Sequence, residues 1–127
     1  MTDEDLIALV GIYFAAVDAQ DLSTALGTLT EDCQFSVETH GVVFEGQEDI
    51  AGMLTRLWSA HRAVKHDNFT YVPNAARSAI ATQFKVTNTL PDGGVVHKSN
   101  CNFFTARAGR FDTVAVYMAG ENTLTRG

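Results

Sequence analysis

Among the residues able to do chemistry, Tyr13 is set apart by its position. It falls in a stripe with Leu6, Ile7, Val10, Phe14 and Val17, spaced i, i+3, i+4 as on one face of a helix, and it is the only polar-tipped member. A phenol inside an apolar face needs a hydrogen-bond partner, and where that face borders a cavity it can donate to a ligand. The other reactive side chains are scattered. His40, His61, His66 and His97 nowhere pair at metal-ligand spacing, so no metal is expected. Cys33 and Cys101 form neither a Cys-x-x-Cys motif nor a disulfide framework, and they read as free thiols of the core.

These residues need a scaffold, and the chain's length and charge bound what it can be. At 127 residues the sequence is expected to form a single domain, 1–127, with one core. Nine basic against fifteen acidic side chains give a net charge of −6, which repels phosphate backbones and anionic lipid surfaces. Nucleic-acid and membrane partners are therefore not expected. No apolar run has the length of a membrane span, and Asp3, Glu4 and Asp5 stand where a signal peptide would be basic, so a cytoplasmic location is expected.

Asp3 and Glu4 suit a helix N-terminus, and the first helical pattern runs to about Ala19. Asp18, near its end, is a carboxylate opposing the helix dipole, which calls for a compensating contact. Asp21 can cap a second helix through Leu22, Leu26 and Leu29. Phe35, Val37 and Val42 to Phe44 read as short strands around a turn at His40-Gly41. Gly46 then opens a third helix with Ile50, Met53, Leu54, Leu57 and Trp58 on its apolar face and His61 continuing it.

Beyond His66 the period changes to two. Strands are expected over 67–73, 78–90, 94–107 and 110–119, broken at Pro73-Asn74, Pro91-Asp92-Gly93-Gly94 and Ala108-Gly109. Short links favour an antiparallel meander, and helices gathered at one end of the sequence give the α+β pattern. Along the third of these strands Val95, His97, Ser99, Cys101 and Phe103 share one face, a mixture of apolar and hydrogen-bonding groups that suits a ligand pocket. Val96, Lys98, Asn100, Asn102 and Phe104 share the other, expected to be partly solvated or to face a second subunit.

The run Tyr13 to Asp21, then Leu29-Thr30-Glu31-Asp32-Cys33-Gln34-Phe35, Phe44-Glu45-Gly46, and Phe103 to Phe111 with Val114, Val116 and Tyr117, resembles the nuclear-transport-factor-2-like superfamily, in its SnoaL-like and ketosteroid-isomerase-like branch. The resemblance spans nearly the whole chain. It implies an α+β cone, a highly curved antiparallel sheet wrapped around the N-terminal helices with a pocket in its open end. Fold alone does not fix function here, since the scaffold hosts isomerases, dehydratases, cyclases and binding modules.

Residue by residue, Tyr13 matches the isomerase tyrosine that donates to a developing enolate. The isomerase's general-base aspartate falls at about Val37, with Glu38 beside it, and its second acid at about Cys101. Scytalone-dehydratase-like enzymes of the superfamily place an aspartate at the end of the first helix to orient a proton-abstracting histidine. Asp18 matches that aspartate, and His66 lies near the histidine's place, although the stricter spacing to Asn68 selects Val64. A carboxylate accepting from one ring nitrogen fixes the tautomer and leaves the other as base.

The implied catalytic set is Tyr13, Asp18 and His66, and the implied pocket wall is Phe35, Val37, Trp58, Cys101, Phe103 and Met118. The expected function is binding of a small apolar organic molecule, with acid–base isomerase, dehydratase or cyclase chemistry on a carbonyl compound and no cofactor. The alternative is a binding or sensory module with the same pocket. Superfamily members commonly pair through their outer strand faces, and a two-fold homodimer is expected here, with Val96, Asn100, Asn102 and Phe104 joining Thr82, Phe84 and Val86 in the contact.

Overall fold

A computed structural model describes residues 1–127. The N-terminal stripe becomes helix α1 (Asp3–Asp18), with Leu6, Val10, Tyr13, Phe14 and Val17 buried. Its start is fixed by a reciprocal cap: the Asp5 N–H donates to the Thr2 hydroxyl at 3.1 Å, and the Thr2 N–H donates to the Asp5 carboxylate at 2.9 Å. Asp21 caps helix α2 (Leu22–Gly27) by accepting from the Thr24 N–H at 3.2 Å. This helix stops two residues before the expected Leu29. The Phe111 N–H donates to the Thr28 carbonyl at 2.8 Å, and Leu29 opens strand β1 (Leu29–Val37) opposite Phe111. Sheet pairing outcompetes the helical pattern there.

A single 3₁₀ turn over Glu38–His40 ends on Gly41, whose φ of 63° is the left-handed conformation that glycine adopts freely, and leads to strand β2 (Val42–Glu45). Helix α3 (Gly46–Ala60) follows directly, its entrance held by the Glu45 N–H donating to the Asp49 carboxylate at 3.0 Å. Four long strands complete the chain: β3 (Ala63–Asn74), β4 (Ala79–Thr89), β5 (Val95–Arg107) and β6 (Arg110–Tyr117). The strands form one curled, unclosed sheet in the order β2-β1-β6-β5-β4-β3. Helix α1 packs on β3 and β4 and α3 on β1 and β2, so both lie on the concave side.

Two expectations about the sheet are corrected. It is mixed rather than antiparallel, because β1 and β6 run parallel. No hairpin joins those two strands, so nothing in the local chain dictates their relative direction. The two faces of β5 are also reversed. Pairing through the Pro91–Gly94 turn sets Val86 opposite Lys98, Phe84 opposite Asn100, Thr82 opposite Asn102 and Ile80 opposite Phe104. Directly opposed residues share a face. Thr82, Phe84 and Val86 do share a face with Asn100, Asn102 and Phe104, but that mixed face packs inward under α1 and all six are buried. Phe103 instead lies on the outside, 53% exposed, with its ring 5.9 Å from that of Tyr117.

Strand β3 starts at Ala63, four residues earlier than expected, and contains a bulge. His66 pairs with Val86 and Asp67 with Lys85, yet Thr70 pairs with Gln83, so β3 holds one extra residue between these points. Asn68 takes up the excess at a φ of 55°. The parity of the strand changes there: Val64 and His66 face the interior before the bulge, Phe69 and Tyr71 after it. The polar cluster His66-Asp67-Asn68 thus forms the bulge that lets His66 and Phe69 both face inward. Asn68→Gly should leave stability within about 0.5 kcal/mol of wild type in equilibrium urea unfolding, whereas Asn68→Val should lose about 1–2 kcal/mol, since a β-branched residue resists the left-handed backbone.

Candidate functional site

The C-terminal end of α1 meets β3 at a single carboxylate. One Asp18 oxygen accepts from the His66 backbone N–H at 2.9 Å, and the other lies 2.5 Å from the His66 imidazole Nδ1. These contacts compensate the carboxylate at the negative end of the helix. In a neutral imidazole, an Nδ1–H donated to Asp18 leaves the lone pair on Nε2. The ring is held by aromatic neighbours, 4.7 Å from Phe14 and 5.5 Å from Phe84 between centroids. Its side chain is 11% exposed and that of Asp18 25%. Trp58 steadies the same helix end by donating its indole N–H to the Val17 carbonyl at 3.0 Å.

Tyr13 and His66 both line a narrow cavity inside the curled sheet. Burial raises the Tyr13 phenol well above the ordinary tyrosine range, with the neighbouring Cys33 and Asp18 adding to the effect, so it stays a neutral donor. Phe14, Leu54, Val64, Phe84 and Val86 supply apolar wall, while Asn88, Lys98, Asn100 and Asn102 make a polar strip across β4 and β5. The interior has about 40 Å³ of free volume, roughly three water molecules' worth at ~10–15 Å³ each. It adjoins a wider recess of about 460 Å³ bordered by His61, Leu90, Val96, His97 and Glu121. Asn88, Lys98 and Thr123 belong to both spaces.

The segment after β6 crosses this end of the sheet. The Ala119 N–H donates to the Asn100 side-chain oxygen at 3.0 Å, and the Lys98 ammonium donates to the Glu121 carbonyl. Further along, Arg56 reaches the Thr125 carbonyl at 2.8 Å and Arg126 pairs with Asp49 at 2.7 Å. Thr123 and Leu124 are thereby carried onto the cavity wall.

Of the expected wall residues, Phe35 and Met118 line the cavity. Four others do not. Cys101 and Phe103 lie on the opposite face of β5, for the register reason already given. Val37 is fully buried at the end of β1, packed in the core between its partners Val42 and Val116. Trp58 turns its indole toward the end of α1. His97 is exposed, and Cys101 is half-buried rather than a core thiol. No three His, Cys, Asp or Glu side chains gather as a metal-binding group.

Residues 10–114 match the family described as the SnoaL-like domain. The chain belongs to the SnoaL-like family. Solved structures support the same fold for this SnoaL-like domain. A candidate polyketide cyclase from Xanthomonas campestris pv. campestris is 20% identical and superimposes with a TM-score of 0.83, covering 91% of this chain and 90% of its own. A protein of ketosteroid isomerase-like fold from Catenulispora acidiphila, in complex with trimethylamine, is 11% identical with a TM-score of 0.79, covering 91% and 88%. TerC, co-crystallised with polyporic acid, is 12% identical with a TM-score of 0.79, covering 91% and 92%. Among functionally curated proteins no sequence matches this one.

Sequence reasoning missed the polar strip of this SnoaL-like domain. The signal was present in the β4–β5 turn: with Thr89 paired to Val95, every apolar inward residue of β4 assigns its β5 partner to the interior. The two thiols give a check on the facing. Cys33 is buried and its pKa is pushed up to about 12, first by burial and then by Asp112 and Asp32, whereas Cys101 is only half-buried on the outer face. Iodoacetamide at pH 8 should therefore alkylate Cys101 in the native protein and Cys33 only after denaturation, read by mass spectrometry of the intact chain and its peptides.

Proposed function

We propose that this domain is an acid–base enzyme acting on a small carbonyl compound, as an isomerase, dehydratase or cyclase that needs no cofactor. The observation carrying this reading is the 2.5 Å contact between Asp18 and His66 beside the cavity. In it, His66 Nε2 removes a proton α to the carbonyl or leaving group while Asp18 holds the tautomer and steadies the imidazolium that forms. The Tyr13 phenol donates to the oxygen on which negative charge develops, an interaction that strengthens as the charge grows in a water-poor site. Substrate enters from the wider recess, with its apolar part against Phe14, Phe84 and Leu54. The similarity to a candidate polyketide cyclase supports ring-forming carbon chemistry as one member of the class.

A panel of cyclic ketones, enones and β-hydroxy carbonyl compounds tests the reading. His66→Ala should lower kcat by about 10²–10⁴-fold, the range of a lost general base. Asp18→Asn should cost a comparable factor, because an imidazole without its orienting carboxylate populates the wrong tautomer. Tyr13→Phe should lower kcat more than it changes KM. Unchanged turnover in the Asp18 and His66 variants would leave a non-catalytic ligand-binding module as the better description.

We also propose that the domain works as a two-fold homodimer through the outer faces of β5 and β6, where Phe103 and the 43% exposed Tyr117 form an exposed aromatic pair. Light scattering at micromolar concentration should give twice the chain mass, and Phe103→Glu should give the monomer. A monomeric wild-type protein would overturn this assignment.

A further inference from the structure

Lys98 sits where the inner cavity opens into the recess, and it is only 8% exposed. A buried ammonium is retained at a cost unless something answers its charge. Its contacts are neutral: the Glu121 carbonyl and, at 3.9 Å, the Met118 sulfur. Burial lowers its pKa, with the Glu121 carboxylate partly opposing that shift. The wall around it is polar and incompletely satisfied. The side-chain oxygens of Asn88 and Asn102, residues 2% and 3% exposed, are buried without a hydrogen-bond partner while both side chains line the same cavity. The rest of the lining is aromatic and aliphatic, from Phe14, Phe84 and Leu54. Those amide oxygens accept, so a matching ligand turns a hydrogen-bond donor such as a hydroxyl toward them, a negative charge toward Lys98 and an apolar face to the rest of the lining.

We propose that Lys98 is the anchor for a substrate carboxylate, held at the junction of cavity and recess with the carbon frame directed toward His66. This rests on the reading of the cavity as a substrate site and narrows the substrate to a small organic acid. A carboxylate is ionised across the physiological range, so it answers the ammonium without any prior proton transfer. Glu121 hydrogen-bonds Lys98 through its main-chain oxygen alone, its carboxylate acting only at longer range, so an arriving carboxylate supplies the direct charge-assisted bond. The protein's overall charge of −6 works against non-specific anion binding, so a preference for an anion identifies a local site.

The test is calorimetric titration with 2-naphthoate and with the neutral, isosteric 2-naphthamide. Wild-type protein should bind the naphthoate about tenfold more tightly or better, as expected for a hydrogen bond to a charged group. Lys98→Met and Lys98→Gln should both lose that preference and keep the amide's affinity, and Lys98→Arg should restore part of it. His66→Ala should retain the full preference, so failure of the proton-transfer reading leaves this result standing. Equal binding of the two probes by wild type, no naphthoate binding at millimolar concentration, or a preference that survives in Lys98→Gln would each overturn the proposal. The wild-type comparison decides even if a variant does not fold.

Discussion

Everything at the centre of this molecule depends on one carboxylate joining two elements far apart in sequence. Asp18 ends α1 and binds both the backbone and the ring of His66 on β3. A negative charge at a helix C-terminus is unfavourable by a few tenths of a kcal/mol at an exposed site, and more where water is scarce. Here two N–H donors answer it. The pairing fixes where α1 lies on the sheet and which way the imidazole points, and Trp58 on α3 holds the neighbouring Val17 carbonyl. The α1–β3 and α1–α3 contacts beside the cavity thus both pass through the last turn of α1.

The bulge in β3 serves the same end. A strand of strict alternation could not put His66 inward in one half and Phe69 and Tyr71 inward in the other. The extra residue, absorbed by Asn68 at positive φ, permits both. Phe14 and Phe84 then flank the imidazole, and Phe69 backs both of them, 5.3 Å from Phe14 and 5.8 Å from Phe84. This packing restrains a ring whose position a hydrogen bond alone would leave free to swing.

The concave face is divided by strand register into an apolar half and a polar strip. Phe84 and Val86 lie across from Asn100 and Lys98, so hydrophobic and amide groups alternate across the β4–β5 ladder. The segment following β6 crosses the open end through Asn100, Lys98, Arg56 and Asp49. The Arg126 guanidinium, 4.9 Å from the centre of the Phe44 ring, fastens its far end. That segment contributes Thr123 and Leu124 to the wall of the inner cavity.

Local pattern determined much of this from sequence. The stripe from Leu6 to Val17, the Asp21 cap, the third helix opening at Gly46 and the breaks at Pro91–Gly94 and Ala108-Gly109 were legible because each is written in neighbouring residues. Helices gathered ahead of the strands indicated the α+β class, and resemblance to a family supplied the cone and pointed to Asp18 and His66 beside Tyr13. Sidedness and direction were not legible. Alternation says that Cys101 and Phe103 share a face and that Asn100, Asn102 and Phe104 share the other, but both sets mix apolar and polar groups, so composition does not say which packs under α1. The parallel run of β1 beside β6, the early end of α2 and the bulge at His66-Asp67-Asn68 were likewise decided by partners on other strands, outside the local segment. Such pairings arise only when the sheet closes around its helices, because a strand's direction and facing are properties of the pair and not of the segment.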